Sequence, residues 1–231
     1  MIPWSHLDTA EIPGGGELRL MRRGAEFSIR LGRAELMNNR LSGSEEALAT
    51  LAWQKIRGRK RPRVLIGGLG MGFTLRATLA VTGPDAEIVV AELVPAVVAW
   101  ARGPMSVLFD DMLDDPRVKI VEDDVGRLIR AAPASWDAIL LDVDNGPEGL
   151  TRKENDTLYG MAGLGEAKAA LRPGGVLAVW SSFPEDRFVQ RMRMAGFKVD
   201  EMKVRAHRGK KGARHVIWIA MPETESRAVG A

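Results

Sequence analysis

The chain has 231 residues, a length at which a single α/β domain can bury a substantial core, and its formal net charge is +3. It contains no cysteine, which excludes disulfide bonds and thiolate metal sites, and its histidines (His6, His207 and His215) are too few to favour a metal enzyme. No apolar run approaches the roughly 18 residues that cross a bilayer, and the N-terminus lacks the pattern of a secretion signal. We therefore expect a soluble, cytoplasmic protein with no membrane partner and no metal.

The N-terminal part of the chain predicts a small β region followed by a helix. The alternating runs "ELRLMRRG" and "EFSIRLG" are separated by glycine-bearing turns, which indicates β-hairpins within residues 1–43. The stretch "SGSEEALATLAWQKIRG" has Ser44 as a candidate N-cap, acids in its first turn and cations in its last. It predicts a helix over residues 45–56, inside a linking region that spans residues 44–61.

Residues 62–222 show a regular alternation of strand-like and helix-like patterns. Apolar runs from "RVLIGG" to "VLAVWSS" alternate with amphipathic segments, which indicates parallel strands joined by crossover helices. The last two runs, "FKVDEMKVRA" and "RHVIWIAMP", have only a basic loop between them and are expected to pair as an antiparallel hairpin. The prediction is a doubly wound, seven-stranded, mostly parallel sheet, followed by a flexible tail at 223–231. This layout is typical of adenosylmethionine-dependent transferases.

A glycine turn and two acids point to a nucleotide site at one edge of this sheet. In "VLIGGLGMGFTLRATL", the glycines Gly68, Gly70 and Gly72 lie between a strand and a helix, where side chains would block the approach of a nucleotide. The next strand ends in Glu92, twenty residues after Gly72, where an acid can bind both ribose hydroxyls. We expect Glu92 to lie at a solvent-facing strand end. Asp124 follows the third strand at the same edge and can accept a hydrogen bond from an adenine amino group.

A nicotinamide cofactor is the competing ligand for this turn. The spacing is G-x-G-x-G followed by Phe73, so the third glycine of the dinucleotide fingerprint is missing. The sequence therefore favours S-adenosylmethionine as the cofactor. Met71, within the turn, is included among the residues predicted to bind it.

Acidic residues follow the fourth strand. "WDAILLDVDNGPEGLT" places Asp142, Asp144 and Asn145 where carboxylates can take a proton from, or orient, an amine that attacks the carbon next to a sulfonium. The alternative is a solvated acidic turn. Tyr159, beyond this loop, and Trp180, at the end of the fifth strand, are candidate acceptor-binding residues; for both, core packing is the alternative.

Four motifs resemble those of the spermidine synthase (polyamine aminopropyltransferase) family, in order, over roughly residues 60–180. "VLIGGLGMGFTLRATL" is similar to the family's "VLIIGGGDGGTLRE", "AELVP" to "CEIDP", "DDPRVKIVEDD" to "DDPRVEIVIAD", and "ILLDVDNGP" to "IIIDSTDP". The resemblance implies that Glu92 holds the ribose and Asp124 the adenine. It also implies that Asp142 deprotonates or orients the acceptor amine.

The sequence departs from the family at several positions. Met71 stands where the family has an Asp that binds the ammonium of decarboxylated adenosylmethionine, and Asn145 matches the second Asp of the catalytic loop, with Asp144 one residue earlier. Leu48 and Ala49 lie near the family's Tyr-His pair. The decarboxylated donor has an ammonium without a compensating carboxylate, so losing an acid disfavours it more than intact adenosylmethionine.

The sequence leaves several functions open. The first prediction is methyl transfer from S-adenosylmethionine to a small-molecule nucleophile, and the alternative is aminopropyl transfer to a polyamine in polyamine biosynthesis. A catalytically silent nucleoside-binding protein is the further alternative. The basic segments 57–63 and 203–215 are interpreted as solvated loops rather than nucleic-acid sites, because stacking aromatics do not interleave them. A homodimer is left open.

Overall fold

The computed structural model describes residues 2–40, 42–143, 157–206 and 213–223. Within these residues the chain forms two sheets. The first is an antiparallel sheet in the order β1-β2-β3-β4, which agrees with the predicted N-terminal β region. Its strands are β1 (Ser5–Glu11), β2 (Glu17–Arg23), β3 (Glu26–Leu31) and β4 (Ala34–Asn38).

The second sheet confirms the predicted fold class. Its seven strands lie in the order β10-β11-β9-β8-β5-β6-β7; β5 to β9 pair in parallel, whereas β11 runs antiparallel to both β9 and β10. The strands are β5 (Arg63–Gly67), β6 (Glu87–Ala91), β7 (Val118–Val121), β8 (Trp136–Leu141), β9 (Leu171–Ser181), β10 (Phe197–Arg205) and β11 (Arg214–Pro222).

Helices connect and cover these strands, as the alternating pattern predicts. Among the described residues they are α1 (Gly43–Ile56), α2 (Phe73–Val81), α3 (Pro95–Arg102), α4 (Ser106–Phe109), α5 (Val125–Ala131), α6 (Met161–Ala170) and α7 (Asp186–Met194), with a 3-10 turn at Met112–Asp114. None of the helices in the described part of the chain is long and apolar enough to cross a membrane.

The register of the parallel strands brings the candidate site together. Gly67 at the end of β5 pairs with Ala91 of β6 and with Leu141 of β8, and Ala91 pairs with Val121 of β7. The residues that follow these strands therefore leave the sheet at one edge. This is the carboxyl edge, where open α/β sheets bind their ligands.

The two sheets share one apolar core. On β5, Val64 and Ile66 belong to a buried cluster that includes Leu20 and Ile29 of the N-terminal sheet, whereas Leu65 belongs to the cluster on the opposite face. This alternation is that of a strand buried on both faces. The shared core holds the N-terminal sheet against the large sheet, next to the carboxyl edge.

The first helix begins earlier than predicted. It starts at Gly43 rather than at residue 45, and its N-cap residue is Ser42, not Ser44. Ser44 is fully buried inside the first turn, where its hydroxyl donates to Glu45 Oε2 at 2.6 Å and lies 2.9 Å from His215 Nδ1. The prediction of a Ser44 cap is therefore wrong, because tertiary contacts use this hydroxyl instead.

The basic segment 57–63 is partly anchored rather than wholly solvated. Arg59 and Arg172 each form an ion pair at 2.8 Å with the buried carboxylate of Asp137, and Arg63 pairs with Glu87 at 2.7 Å. These contacts tie the segment to the amino ends of the strands, away from the carboxyl edge. In the second basic segment, residues 207–212 lie outside the described residues.

Candidate active site

The glycine turn between β5 and α2 packs closely against two neighbouring elements. Gly68 (φ +90°) and Gly72 (φ +77°) have left-handed backbone conformations that side chains rarely adopt. A Cβ at Gly68 would lie 2.7 Å from the carbonyl oxygen of Asp142, and one at Gly72 would lie 2.6 Å from the ring of Phe109. These two glycines are therefore required by packing, whatever ligand the turn approaches.

Glu92, directly after β6, supports the turn. The backbone N–H groups of Leu69 and Val94 each donate to its carboxylate at 2.9 Å. The residue is 7% exposed, and burial raises the pKa of its carboxyl, while these backbone hydrogen bonds act in the opposite direction. The prediction that Glu92 faces solvent is thus wrong: it is a buried acid that joins the turn to β6.

Asp124 caps the helix that follows β7. Its Oδ1 accepts the backbone N–H of Arg127 at 3.0 Å, so it is the N-cap of α5. Its own backbone N–H donates to Asp123 Oδ1 at 2.8 Å. Both aspartates line a cleft at the carboxyl edge, together with Glu92.

This first cleft encloses about 940 Å³ of space that is open to solvent. Its acidic groups all come from the large sheet and the residues that follow its strands, whereas the lining residues from the N-terminal sheet are apolar. A cleft with a mostly apolar wall and a few polar groups is the usual form of a small-molecule site. The described lining residues include Ile12, Leu18, Ile29, Leu36, Met37, Gly68, Gly70, Glu92, Val97, Asp123, Asp124, Asp142 and Val143.

A second cavity of about 520 Å³ adjoins the first. Its described lining residues are Leu36, Met37, Asn38, Glu45, Gly68, Leu69, Gly70, Met71, Phe73, Asp142 and Trp180. Asp142, with Gly68 and Gly70 of the turn, lines both spaces. Asp142 therefore lies at the junction of the two.

Two carboxyl groups of the second cavity have strongly raised pKa values. Thr74 Oγ1 donates to Asp142 Oδ2 at 2.6 Å, yet burial raises the pKa of Asp142 to about 6. Burial raises the pKa of Glu45 to about 7, and repulsion from Asp142 adds to the effect. Such shifts are typical of groups that exchange protons during a reaction.

The structure brings most of the predicted site residues to these two spaces. The first is lined by Gly68, Gly70, Glu92 and Asp124, the second by Met71 and Trp180, and Asp142 belongs to both. Gly72 faces Phe109 instead, and Asp144 and Asn145 lie outside the described residues. Tyr159 is buried in the core on the opposite face, with its ring 5.5 Å from that of Phe188, and is not among the described lining residues.

Sequence reasoning missed Glu45 and the contribution of β4. The sequence identifies Glu45 only as an acid in the first turn of a helix, which is a common position for an acid. Met37 of β4 approaches the turn closely, with its sulfur 3.3 Å from the position of a Cβ on Gly70. The sequence does not indicate which of the adjacent acids Glu45 and Glu46 is buried.

Comparison with known proteins finds polyamine aminopropyltransferases among the curated relatives of the chain. No protein-family model matches the chain. It is 34% identical over 146 residues to a polyamine aminopropyltransferase of Mycobacterium tuberculosis, and 32% identical over 123 residues to a polyamine aminopropyltransferase of Streptomyces coelicolor. These matches cover 59% and 52% of this chain, but only 27% and 22% of the relatives. The chain thus corresponds to about a quarter of the length of these curated relatives.

Solved structures extend the similarity to nearly the whole chain. The spermidine synthase of Thermotoga maritima matches with a TM-score of 0.73 at 17% identity, over 93% of this chain and 72% of its own. The chain has the spermidine synthase fold. A spermidine synthase in complex with the transition-state analogue AdoDATO matches the chain with a TM-score of 0.72 at 17% identity, over 93% of this chain and 71% of that structure. A probable spermidine synthase from Corynebacterium glutamicum matches with a TM-score of 0.63 at 18% identity, over 96% and 80%.

The names of these relatives favour one of the predicted functions over another. The curated relatives are named aminopropyltransferases, and the structural neighbours are spermidine synthases. They support a transferase of the spermidine synthase type, which was the alternative prediction. They give no specific support to methyl transfer, the first prediction.

Proposed function

We propose that this chain transfers an aminopropyl group from decarboxylated adenosylmethionine to an amine acceptor. The observation that carries the proposal is the position of Asp142, which lines both the cleft beside Glu92 and the cavity beside Trp180. A two-substrate transfer needs this arrangement, with donor and acceptor in adjoining spaces and a proton-accepting group between them.

The first cleft is proposed to hold the adenosyl part of the donor. Glu92 accepts the Leu69 N–H on Oε2 and the Val94 N–H on Oε1, and the same carboxylate is proposed to accept the two ribose hydroxyls. Asp124 is proposed to accept from the adenine amino group. The apolar wall that includes Ile29 and Leu36 of the N-terminal sheet offers a surface for the adenine ring.

In the proposed reaction, the acceptor amine enters the second cavity as an ammonium and gives one proton to Asp142. The neutral nitrogen then attacks the aminopropyl carbon bonded to the sulfonium. The C–N bond forms with the nitrogen lone pair, the C–S bond breaks, and the sulfur leaves as the neutral thioether methylthioadenosine. The positive charge passes from sulfur to the new secondary ammonium. A pKa near 6 suits Asp142 to accept and then release a proton near neutral pH.

Methyl transfer from S-adenosylmethionine remains a second candidate because of Met71. This residue is 3% exposed and places a thioether, not an anion, in the wall of the second cavity. A less negative wall repels the carboxylate of intact adenosylmethionine less. The names of the relatives favour aminopropyl transfer, so methyl transfer is the second candidate here.

Product analysis distinguishes the candidates. The chain is incubated with 1,4-diaminobutane and either donor, and the nucleoside products are separated by chromatography. Methylthioadenosine together with spermidine, formed only from the decarboxylated donor, is the expected result. Adenosylhomocysteine from intact adenosylmethionine would instead support methyl transfer. Binding of either donor without any product would support the catalytically silent alternative.

A further inference from the structure

Three threonines lie four residues apart along α2, and the first uses its hydroxyl group differently from the other two. The hydroxyls of Thr78 and Thr82 donate to the backbone carbonyls of Thr74 and Thr78, at 2.7 and 2.8 Å, one turn earlier in the chain. Thr74 is the second residue of α2, so the residue four positions before it lies outside the helix. Its hydroxyl therefore contacts other elements instead.

The Thr74 hydroxyl lies between a carboxylate and a backbone carbonyl. Its Oγ1 donates to Asp142 Oδ2, after β8, at 2.6 Å, and it lies 3.4 Å from the backbone carbonyl oxygen of Glu45 in α1. Thr74 is buried, and its branched Cβ allows few rotamers in a helix. Packing and the helix thus hold this hydroxyl in place beside Asp142.

Thr74 stabilises the charged form of Asp142. Within the described ranges, no lysine or arginine pairs with this carboxylate, and no second side chain donates to it. Burial raises the pKa of Asp142 to about 6, and the Thr74 hydrogen bond acts in the opposite direction.

The other titratable groups around the two spaces do not take over this role. Those that line the spaces are acids, and the one behind the Trp180 ring is a histidine, whose pKa is lowered by burial so that its neutral form is favoured. They are Glu45, Glu92, Asp123, Asp124 and His215. None of these groups favours a negative charge on Asp142.

A hydroxyl in this position can serve both protonation states of the carboxyl group, because it has one proton to donate and lone pairs to accept another. When Asp142 is charged, the Thr74 proton lies in the 2.6 Å contact. When Asp142 is protonated, its proton can be donated to Thr74 Oγ1, and the Thr74 proton turns to the Glu45 carbonyl oxygen, 3.4 Å away. The carboxyl group then keeps its position in both states.

We propose that Thr74 is the positioning residue of Asp142: its hydroxyl holds the carboxyl group at the junction of the two spaces and reverses its hydrogen bond when Asp142 takes a proton. The inference rests on the proposed function and deepens it, because it names what keeps the proton-accepting group in place during the reaction. No proton passes through Thr74. The ammonium proton moves to Asp142 and later to solvent, while the Thr74 proton only rotates about the Cβ–Oγ1 bond.

The pH dependence of methylthioadenosine formation, from the decarboxylated donor and 1,4-diaminobutane, tests this role in the full chain. Thr74→Val removes the hydroxyl and keeps the branched shape of the side chain. The acidic limb of its kcat/KM profile should move up by about 1–2 pH units, because the charged form of Asp142 loses a hydrogen bond. At pH values above this limb, kcat should still be about tenfold below that of the wild type, because the carboxylate is no longer held in place.

Two further variants separate positioning from a general effect on stability. Thr78→Val is the matched control, because it removes an equally buried hydroxyl from the same face of α2, one turn away from the contact with Asp142. Its acidic limb should stay in place and its kcat within about threefold of the wild type, even if both valine variants melt at lower temperature. Thr74→Ser, which restores the hydroxyl, should recover the limb and bring kcat to within about threefold.

NMR spectra of the isotope-labelled, empty protein give a readout without turnover. The carboxyl resonance of Asp142, assigned by its loss in Asp142→Asn, reports the pH midpoint at which this group titrates. The methyl resonance of Thr74, assigned by its loss in Thr74→Ser, should titrate with the same midpoint because the hydroxyl rotates, whereas that of Thr78 should not follow it. In Thr74→Val, the Asp142 midpoint should move up by about 1–2 pH units.

Three results would overturn the positioning role: an unchanged Asp142 midpoint or acidic limb in Thr74→Val, the same changes in Thr78→Val, or a Thr74 methyl resonance that does not follow Asp142. If Thr74→Val does not fold, the wild-type spectra decide. The proposed function fails separately. If the spectra are as expected but the wild type forms no methylthioadenosine, the positioning role stands and the transfer reaction is wrong. If methylthioadenosine forms with the same pH dependence in both valine variants, the reaction stands and the positioning role is wrong.

Discussion

Replacing Asp142 with asparagine should raise stability and lower activity at the same time. Burial raises the pKa of the folded-state carboxyl from 3.8 to about 6, so the folded protein binds this proton more tightly than the unfolded chain. Stability is therefore lost as pH rises from about 4 through about 6. Two pKa units, at about 1.36 kcal/mol each, correspond to a penalty of about 3 kcal/mol at pH 8.

Asparagine removes this charge but keeps an oxygen that can accept the Thr74 hydroxyl. We expect Asp142→Asn to increase the free energy of unfolding at pH 8 by about 1–3 kcal/mol, because burial of the new amide N–H groups offsets part of the gain. The melting temperature should rise by about 2–10 °C, and the difference should disappear near pH 4. Turnover should fall by roughly 10²–10⁴, the range for a lost general base, with donor affinity within about threefold.

Thermal melts at pH 4, 6 and 8 measure the change in stability, and methylthioadenosine formation measures the change in turnover. Asp137→Asn is the matched control, because the same substitution there removes the partner of Arg59 and Arg172. It should destabilise the protein at pH 8. The reasoning is refuted if Asp142→Asn lowers stability at pH 8 as the control does, or if turnover falls by less than about fivefold. A collapse of donor affinity would instead make Asp142 a donor ligand.

Two further substitutions test the glycine turn. Glu92→Gln should weaken methylthioadenosine binding at least tenfold, because the ribose hydroxyls lose a charged acceptor. Calorimetry measures the affinity, and an unchanged affinity would remove the ribose assignment. Gly68→Ala should cost about 2–4 kcal/mol because of its positive φ and its contact with the Asp142 carbonyl. Gly165→Ala, inside α6 at a position where a Cβ meets no other atom, should stabilise by about 0.5–1 kcal/mol. Similar melts for the two variants would contradict this account.

The fold and much of the site could be predicted because both depend on local patterns. Strands that are buried on both faces have continuous apolar runs, such as "VLIGG" and "AILLD", and such runs alternating with helices leave few possible topologies. Once the strands are parallel, the residues after them must meet at one edge. Glu92 and Asp142 each follow the end of such a strand, so the sequence alone predicts that they lie at this edge.

The burial of Glu92, the first turn of α1 and the packing of Tyr159 could not be predicted because they depend on tertiary contacts. Glu92 is at a strand end, but the glycine turn folds over it and covers its carboxylate. Ser44 has the composition of a helix cap, but its partner His215 is 171 residues away in the sequence. Tyr159 follows the acidic loop in sequence, yet it packs against Phe188 on the other face of the sheet.

The structure also changes the interpretation of Met71. On the sequence alone, a methionine in place of an acid suggests that the turn is not tuned to a cationic donor. In the structure, Met71 and Glu45 line one cavity, so an acid from α1 supplies charge to the space where the turn supplies none. The electrostatic field at a bound ammonium depends on where the carboxylate is, not on which element carries it.

Whether Glu45 replaces a carboxylate of the glycine turn can be tested by placing a carboxylate at position 71. Met71→Asp alone adds a third buried carboxylate beside Glu45 and Asp142, so it should destabilise the empty protein and shift donor preference toward decarboxylated adenosylmethionine by about 1–3 kcal/mol. In the Glu45→Gln background, Met71→Asp restores the number of carboxylates, and affinity for decarboxylated adenosylmethionine should recover to within about tenfold of the wild type. Calorimetry on the wild type, both single variants and the double variant gives the coupling energy directly. If the double variant binds decarboxylated adenosylmethionine no better than Glu45→Gln does, Glu45 does not act in place of an acid at position 71.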